Sequence, residues 1–319
     1  MKPRQWKKYN QKLVSRGSIT LYLNEEVIKA WSYQGKRKRG GKIQYSDTSI
    51  ETVLSLGYLF RLPLRQSVGF TDSICKLMKL SVPMPDYTTL SRRNKSLQIK
   101  LKGALSKIEL KDGLELAIDS TGLSIYQSSG WHAQKYKGRK HERNASWRKL
   151  HIALDLHSGK VLAMQYSDSK VSDSSCFQPL LAQATKLCGT TAIKSVRADR
   201  AYDNLPCYQA ACSRSIKPII PVRRNAVSQS QSLKGGQKPN PHLKQRDETI
   251  KYIKSFPSYH KGTKEWEKQT GYHLRSRIES YMNCFKRVFG GTLKAKNESS
   301  RKTEMLLKVN LLNRMACFA

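Results

Sequence analysis

Acidic residues are scarce in this chain: 23 Asp and Glu stand against 59 Lys and Arg, a formal net charge of +36. A chain so unbalanced repels itself unless a polyanion neutralises it, and nucleic acid is the polyanion such charge most often serves, with acidic membrane surfaces as the competing partner. Long apolar runs are also missing. No segment approaches the roughly 18 residues needed to span a bilayer, and the opening Met1-Lys-Pro-Arg-Gln-Trp6 carries no signal-peptide core. The expectation is a soluble, cytoplasmic protein with no membrane partner. Paired cysteines are absent too. The seven cysteines are odd in number, scattered, and form no C-x-x-C, so reduced thiols are expected and a disulfide framework is excluded. The seven histidines show neither H-x-x-x-H nor H-x-x-E spacing, which argues against zinc and leaves oxygen ligands to hold any metal. Internal repeats are lacking as well. With 319 residues and 38% hydrophobic content, the chain can build one medium domain and a small one.

Residues 1–105 read as a basic arm, with Gly35-Lys-Arg-Lys-Arg-Gly-Gly41, followed by a small helical domain. An amphipathic helix is expected over 47–62 and a second over 64–80, broken near Gly69. Asp86 then caps a basic helix from Tyr87 to about Leu97 that carries Arg92 and Arg93. That outline is helix-turn-helix-like, with Arg92 and Arg93 as DNA-binding candidates. After Gly103 the pattern turns to strands. Leu114–Ile118 delivers Asp119, and 151–156 with 161–166 form a hairpin. A helix follows to Leu187, then Ile193–Ala198 ends at Asp199; another helix and a strand over 218–222 complete the series. Residues 106–319 therefore read as an α/β, RNase H-like mixed-sheet catalytic domain. Its stretch 222–263, with nine Lys/Arg and two acids among Ser, Gln, Gly and Pro, reads as a mobile basic loop. Between the first two strands, residues 131–149 interleave seven Lys/Arg with two Trp and one Tyr. Here Trp131, Lys135, Lys137 and Arg139 can neutralise phosphates and stack on unpaired bases; a solvated hairpin tip is the plainer alternative.

The most informative spacing is Tyr272, Arg275, Glu279 and Lys286. On an α-helix all four fall within an arc of about 60°, beside an apolar stripe of Leu274, Ile278, Met282, Phe285 and Phe289. A carboxylate among a phenol, a guanidinium and an ammonium suits metal-dependent work on phosphates; a surface helix with ordinary ion pairs has the same spacing. Asp119 at the first strand, Asp199 after the fourth and Glu279 on the long helix occupy the three carboxylate places of an RNase H-like site. Hard oxygen ligands of this kind suit Mg²⁺. Asp155, Asp173 and Asp203 compete as ligands; Asp155 reads as a turn residue, Asp173 as a helix cap, and Asp203 lies past the strand end.

With Leu116-Ala-Ile-Asp-Ser-Thr-Gly122, Val196-Arg-Ala-Asp-Arg-Ala-Tyr-Asp203 and Tyr272-x₂-Arg275-x₃-Glu279-x₆-Lys286, residues 45–319 resemble the DDE transposases of bacterial insertion sequences, in particular the insertion-sequence-five group. The resemblance implies a catalytic and metal-binding triad of Asp119, Asp199 and Glu279, with two Mg²⁺ ions for which Mn²⁺ can substitute. It also implies DNA contacts from Tyr272, Arg275 and Lys286, and DNA partners comprising the element's terminal inverted repeats and a target. A homodimer or larger synaptic complex, associated with the bacterial nucleoid, would hold two element ends. Arg200 departs from the pattern, since relatives commonly carry Gly after the second aspartate. An RNase H-like nuclease or resolvase, or a non-catalytic transposase-derived DNA-binding protein, are the rival readings.

Overall fold

The computed structural model describes residues 6–36, 43–101, 113–125, 147–189, 192–232 and 238–316. The chain forms two compact units. One gathers the described residues of Met1–Lys102, Ser124–Ser129 and Phe285–Ala319; the other gathers those of Gly103–Leu123 and Gly130–Cys284.

The first unit begins with five helices: α1 (Trp6–Ser15), α2 (Glu25–Lys29), α3 (Asp47–Leu59), α4 (Leu64–Leu77) and α5 (Tyr87–Ser96). Ser46 caps α3 by accepting from Ser49 N, and Asp86 caps α5 by accepting from Thr88 N at 2.7 Å. Where an amphipathic helix was expected, α3 is buried nearly all round, with Ile50, Val53, Leu54 and Leu56 at most 1% exposed. Its hydroxyls are satisfied locally, as when Thr52 donates to Thr48 O at 2.8 Å. No break occurs at Gly69: α4 runs through it, and the glycine faces open space, where its helix cost is modest.

In the second unit, β1 (Leu114–Ile125), β2 (Trp147–Asp155), β3 (Val161–Asp168), β4 (Ile193–Arg197) and β5 (Lys217–Ile219) lie in the order β3-β2-β1-β4-β5. The β2–β3 hairpin is antiparallel, whereas β4 runs parallel to both β1 and β5. This is the mixed sheet of an α/β RNase H-like domain. Pro218 fits β5 because that strand sits at the end of the sheet and need not donate on its free side. Helices α6 (Phe177–Cys188) and α7 (Leu205–Cys212) cover one core built from Leu116, Ile118, Phe177, Leu180, Val196 and Tyr208, all at most 1% exposed.

The described residues of 222–263 are largely helical and not the loop expected. They hold α8 (Gln229–Ser232), α9 (Lys244–Lys254) and the start of α10 (Tyr259–Thr270), which pack Ile250, Ile253 and Trp266 with Ile219, Val222 and Ala226 into a small core of their own. Their lysines and arginines mask a sparse but well-placed apolar set, so composition favoured a loop where packing made a helical insertion. Next comes α11 (Ser276–Phe289), with Ile278, Met282, Phe285 and Phe289 buried.

The chain then returns to the first unit through β6 (Thr292–Leu293), which pairs in parallel with Ser124 and Ile125, and α12 (Glu298–Ala316), which packs on α3 and α5. Within α12, Glu304 is fully buried and satisfied by Lys308 Nζ at 2.6 Å and by the backbone N–H groups of Lys294 and Ala295. The expected division near residue 105 therefore differs from the compact units, because a helix far along the chain supplies part of the first unit's core.

Candidate active site

Three elements of the second unit deliver three carboxylates. Asp119 sits on β1, where its Oδ1 accepts from Ser120 N at 2.8 Å. Asp199 follows β4 and caps a 3₁₀ turn, Arg200–Tyr202, by accepting from Ala201 N at 2.8 Å. Glu279 lies in the first turn of α11. Tyr272 and Arg275 precede that helix rather than belonging to it: they lie on a 3₁₀ turn, Tyr272–Arg275, capped by Gly271 in the left-handed conformation (φ +64°). The arc expected of one continuous α-helix is thus interrupted at its start. What joins the three carboxylates is the guanidinium of Arg275.

Arg275 Nη2 lies 2.6 Å from Asp119 Oδ2 and 3.9 Å from Asp199 Oδ2, while Nη1 lies 2.5 Å from Glu279 Oε1. Its Nε is buried and has no acceptor among the described residues. Burial opposes charge on this guanidinium, yet Asp119, Tyr272, Glu279 and Asp199 together raise its pKa above the ordinary value. The three carboxylates thus surround one cation. Their donor set, carboxylate oxygen only, is the kind a hard divalent ion requires. Among the described residues no three acidic, His or Cys side chains close tightly enough to hold a metal unaided, and the guanidinium stands where positive charge is stabilised. The residues fit a divalent cation by donor chemistry and charge, provided Arg275 yields the place.

Asp119 is the most perturbed of the three acids. Burial pushes its pKa up, and the neighbouring Asp199 and Glu279 add to this; Arg275 and the Ser120 N–H only partly offset the rise. An acid whose folded pKa exceeds its ordinary 3.8 costs stability when ionised, above the folded value, and nothing below the unfolded one. Asp119→Asn is therefore expected to melt higher than the wild-type chain at neutral pH without metal. Thermal melts from pH 7 downward should show the gap closing as the pH falls through the raised folded value towards 3.8. A variant that melts lower at neutral pH would contradict this account.

Around the triad, Tyr272 is half-buried, stacked near Trp266 at 5.5 Å between ring centroids, and its phenol is pushed up to about 12 chiefly by burial. It therefore belongs partly to the insertion's core. Lys286 is exposed on α11. In the first unit, Arg92 is exposed on α5, but Arg93 donates to Tyr45 O at 3.0 Å and to Asp47 at 2.5 Å, tying α5 to the start of α3. Trp131, Lys135, Lys137 and Arg139 lie outside the described residues.

The rival carboxylates are engaged elsewhere. Asp203 pairs with Arg246 at 2.8 Å and accepts from Arg223 N; Asp155 accepts from Ser158 in the β2–β3 turn; Asp173 pairs with Lys149 at 2.9 Å. Sequence reasoning missed three supports of the site. Tyr202 is buried with its hydroxyl unpartnered among the described residues, and burial followed by Asp119, Asp173 and Asp199 raises its pKa. Arg277 donates to Leu156 O, and Arg197 is buried in β4. The last had a legible signal, a charged residue set between the apolar Val196 and Ala198 just before Asp199.

Residues 111–314 match the family model described as Transposase DDE domain, and residues 14–128 match a second model of the same description. The longer match spans more than half of the chain, and this chain belongs to the transposase DDE domain family. By this family match the chain is a transposase. Among solved structures the chain is similar to the piggyBac transposase synaptic complex with hairpin DNA, with 10% identity over 96% of this chain and 74% of that one, at a TM-score of 0.45. It is also similar to the Drosophila P element transposase strand transfer complex, with 12% identity over 94% and 71%, at a TM-score of 0.35. At scores this low the family match carries the identification. Among the described residues no helix is long and apolar enough to cross a membrane.

Proposed function

We propose that this transposase belongs to the insertion-sequence-five group, binds the terminal inverted repeats of its own element, and cuts and joins DNA with Asp119, Asp199 and Glu279 as ligands for divalent metal. The observation that carries the reading is the convergence of all three carboxylates on one positive group, Arg275. Two Mg²⁺ ions, or Mn²⁺ in their place, would supply Lewis-acid stabilisation to the attacking and leaving oxygens of an in-line displacement. Water attacks a terminal phosphodiester first, and the freed 3′-hydroxyl then attacks target DNA. No covalent protein–DNA intermediate is needed, so Tyr272 is a DNA contact and not a nucleophile. Arg275 would contact a phosphate through its Nη groups once metal ions hold the three carboxylates that those groups now face. Lys286 adds an exposed ammonium, and Tyr272 presents a phenol at the edge of the same turn.

End recognition is assigned to the α4–α5 pair as a helix-turn-helix-like reader. Arg92 is its exposed contact, and Arg93 orients the helix through Asp47. Trp131, Lys135, Lys137 and Arg139 would grip a frayed end by charge and stacking. Holding two ends calls for a homodimer or larger synaptic complex.

The test uses the full chain, labelled duplexes carrying the inverted repeats that bracket the gene, a target plasmid and Mg²⁺. Free 3′-hydroxyl ends followed by joined products are expected, and EDTA should remove both. Cleavage of branched or hybrid DNA without joining would favour the nuclease or resolvase reading. Binding with neither cleavage nor joining would favour a non-catalytic DNA-binding protein.

A further inference from the structure

Arg197 is only 3% exposed, at the end of the inner strand β4. A buried guanidinium has five N–H donors to satisfy and no way to shed its charge, so its acceptors reveal what it holds together. Nε donates to Gly271 O at 3.2 Å, and Nη2 donates to Thr270 O at 3.4 Å and to Glu115 Oε1 at 3.3 Å. Nη1 donates to Ser195 Oγ at 3.2 Å, and Ser195 Oγ in turn reaches Glu115 Oε1 at 3.3 Å. Thr270 and Gly271 stand at the C-terminus of α10, where carbonyls lack helical partners and the helix dipole favours a cation.

These contacts join the three places from which the carboxylates are delivered. Glu115 lies four residues before Asp119 on β1; Arg197 lies two residues before Asp199; Gly271 is the left-handed residue from which the Tyr272–Arg275 turn and then Glu279 depart. In the β1–β4 register Glu115 faces Ser195 and Ala117 faces Arg197, so the clasp occupies positions two to four residues short of both aspartates. On the other flank Arg277 holds Leu156 O, while Leu156 N donates to Glu115 O at 2.8 Å. The turn that bears Arg275 receives Arg197 Nε at its first carbonyl, Gly271 O, which also accepts from Leu274 N at 3.1 Å.

We infer that Arg197 is a positioning residue for the reaction: it clasps the α10 C-terminus to β1 and β4 and so sets where Arg275 and Glu279 stand relative to Asp119 and Asp199. The inference rests on the proposed role of those three carboxylates. Lysine offers one nitrogen where the clasp needs a planar fork spanning two carbonyls and a carboxylate, so Arg197→Lys retains charge but releases the turn. Gly271→Ala perturbs the same joint from the other side, because φ +64° strains any residue bearing a Cβ.

The experiment compares full-length wild type, Arg197→Lys, Gly271→Ala and Asp199→Asn. It measures cleavage of end duplexes under saturating and limiting DNA well below each melting temperature, and Mn²⁺ binding to the DNA-free proteins by electron paramagnetic resonance. A displacement of about 1 Å at a reacting centre costs on the order of 10²-fold in rate. Both joint variants should therefore lose about that much kcat, with KM for DNA ends within about twofold of wild type and weaker Mn²⁺ binding. A merely structural role would lower the melting temperature while leaving kcat and Mn²⁺ affinity intact, and that result in both variants overturns the inference. Should Arg197→Lys fail to fold, Gly271→Ala decides by the same criteria. Normal cutting by Asp199→Asn would strike the carboxylate reading instead. Loss in Asp199→Asn beside wild-type rates in the joint variants would strike the clasp alone.

Discussion

Asp199→Asn, Asp119→Asn and Glu279→Gln should each reduce end cleavage by more than about 10³-fold, and any two together should cost little more than one. The three carboxylates surround a single position, so removing one disables the unit that the other two complete. Binding to element ends should stay within a few-fold of wild type, as measured by gel shift at fixed salt, because no base or phosphate is held by a carboxylate. Asp119→Asn should be inactive and yet more stable at neutral pH, a combination expected where an ionised acid is kept buried for chemistry at the expense of the fold. Should Asp199→Asn cut normally while Asp203→Asn does not, the second ligand is misassigned. That outcome would need Asp203 to leave Arg246, which holds it at 2.8 Å.

The second large effect belongs to Arg275. Read from spacing alone, its partner was a DNA phosphate, so neutralising it should hardly have touched stability. The structure changes that expectation, because Arg275 already holds Asp119 and Glu279 in the DNA-free chain. Arg275→Gln should leave three carboxylates facing one another. Breaking a fully buried pair costs about 3–5 kcal/mol, but Asp199 and Glu279 are 41% and 60% exposed, so roughly 1–3 kcal/mol is expected here. The melting temperature should fall at pH 7 and recover as Mg²⁺ or Mn²⁺ is added. Cleavage should fall as well. The dependence of log affinity on log salt should flatten by about 0.9 if one duplex phosphate contact is lost. A variant with unchanged melting, unchanged response to metal and an unchanged salt slope would remove Arg275 from both roles.

The sequence alone determined a good deal of this protein. Strand patterns leading into Asp119 and Asp199, the Asp86 cap, and the apolar stripe of α11 are local signals, each written within a dozen residues, although β1 runs on past Asp119 to Ile125. The scarcity of acids likewise made the few clustered near strand ends and on the signature segment conspicuous. What tertiary structure decided was everything that depended on partners far away in the chain. The basic segment 244–263 is mostly helical because Ile250, Ile253 and Trp266 meet Ile219 and Val222, a core no window of composition reveals. Helix α12 joined the first unit, more than two hundred residues from α3, through burial of most of residues 303–313. Arg93 turned inward to Asp47, and Arg197 to a turn seventy-odd residues on, because buried cations seek whatever acceptors the fold brings within 3 Å or so. Above all, residue spacing placed Arg275 beside Glu279, but only the sheet brought Asp119 and Asp199 to the same guanidinium, since pairing of β1 with β4 sets two distant aspartates side by side.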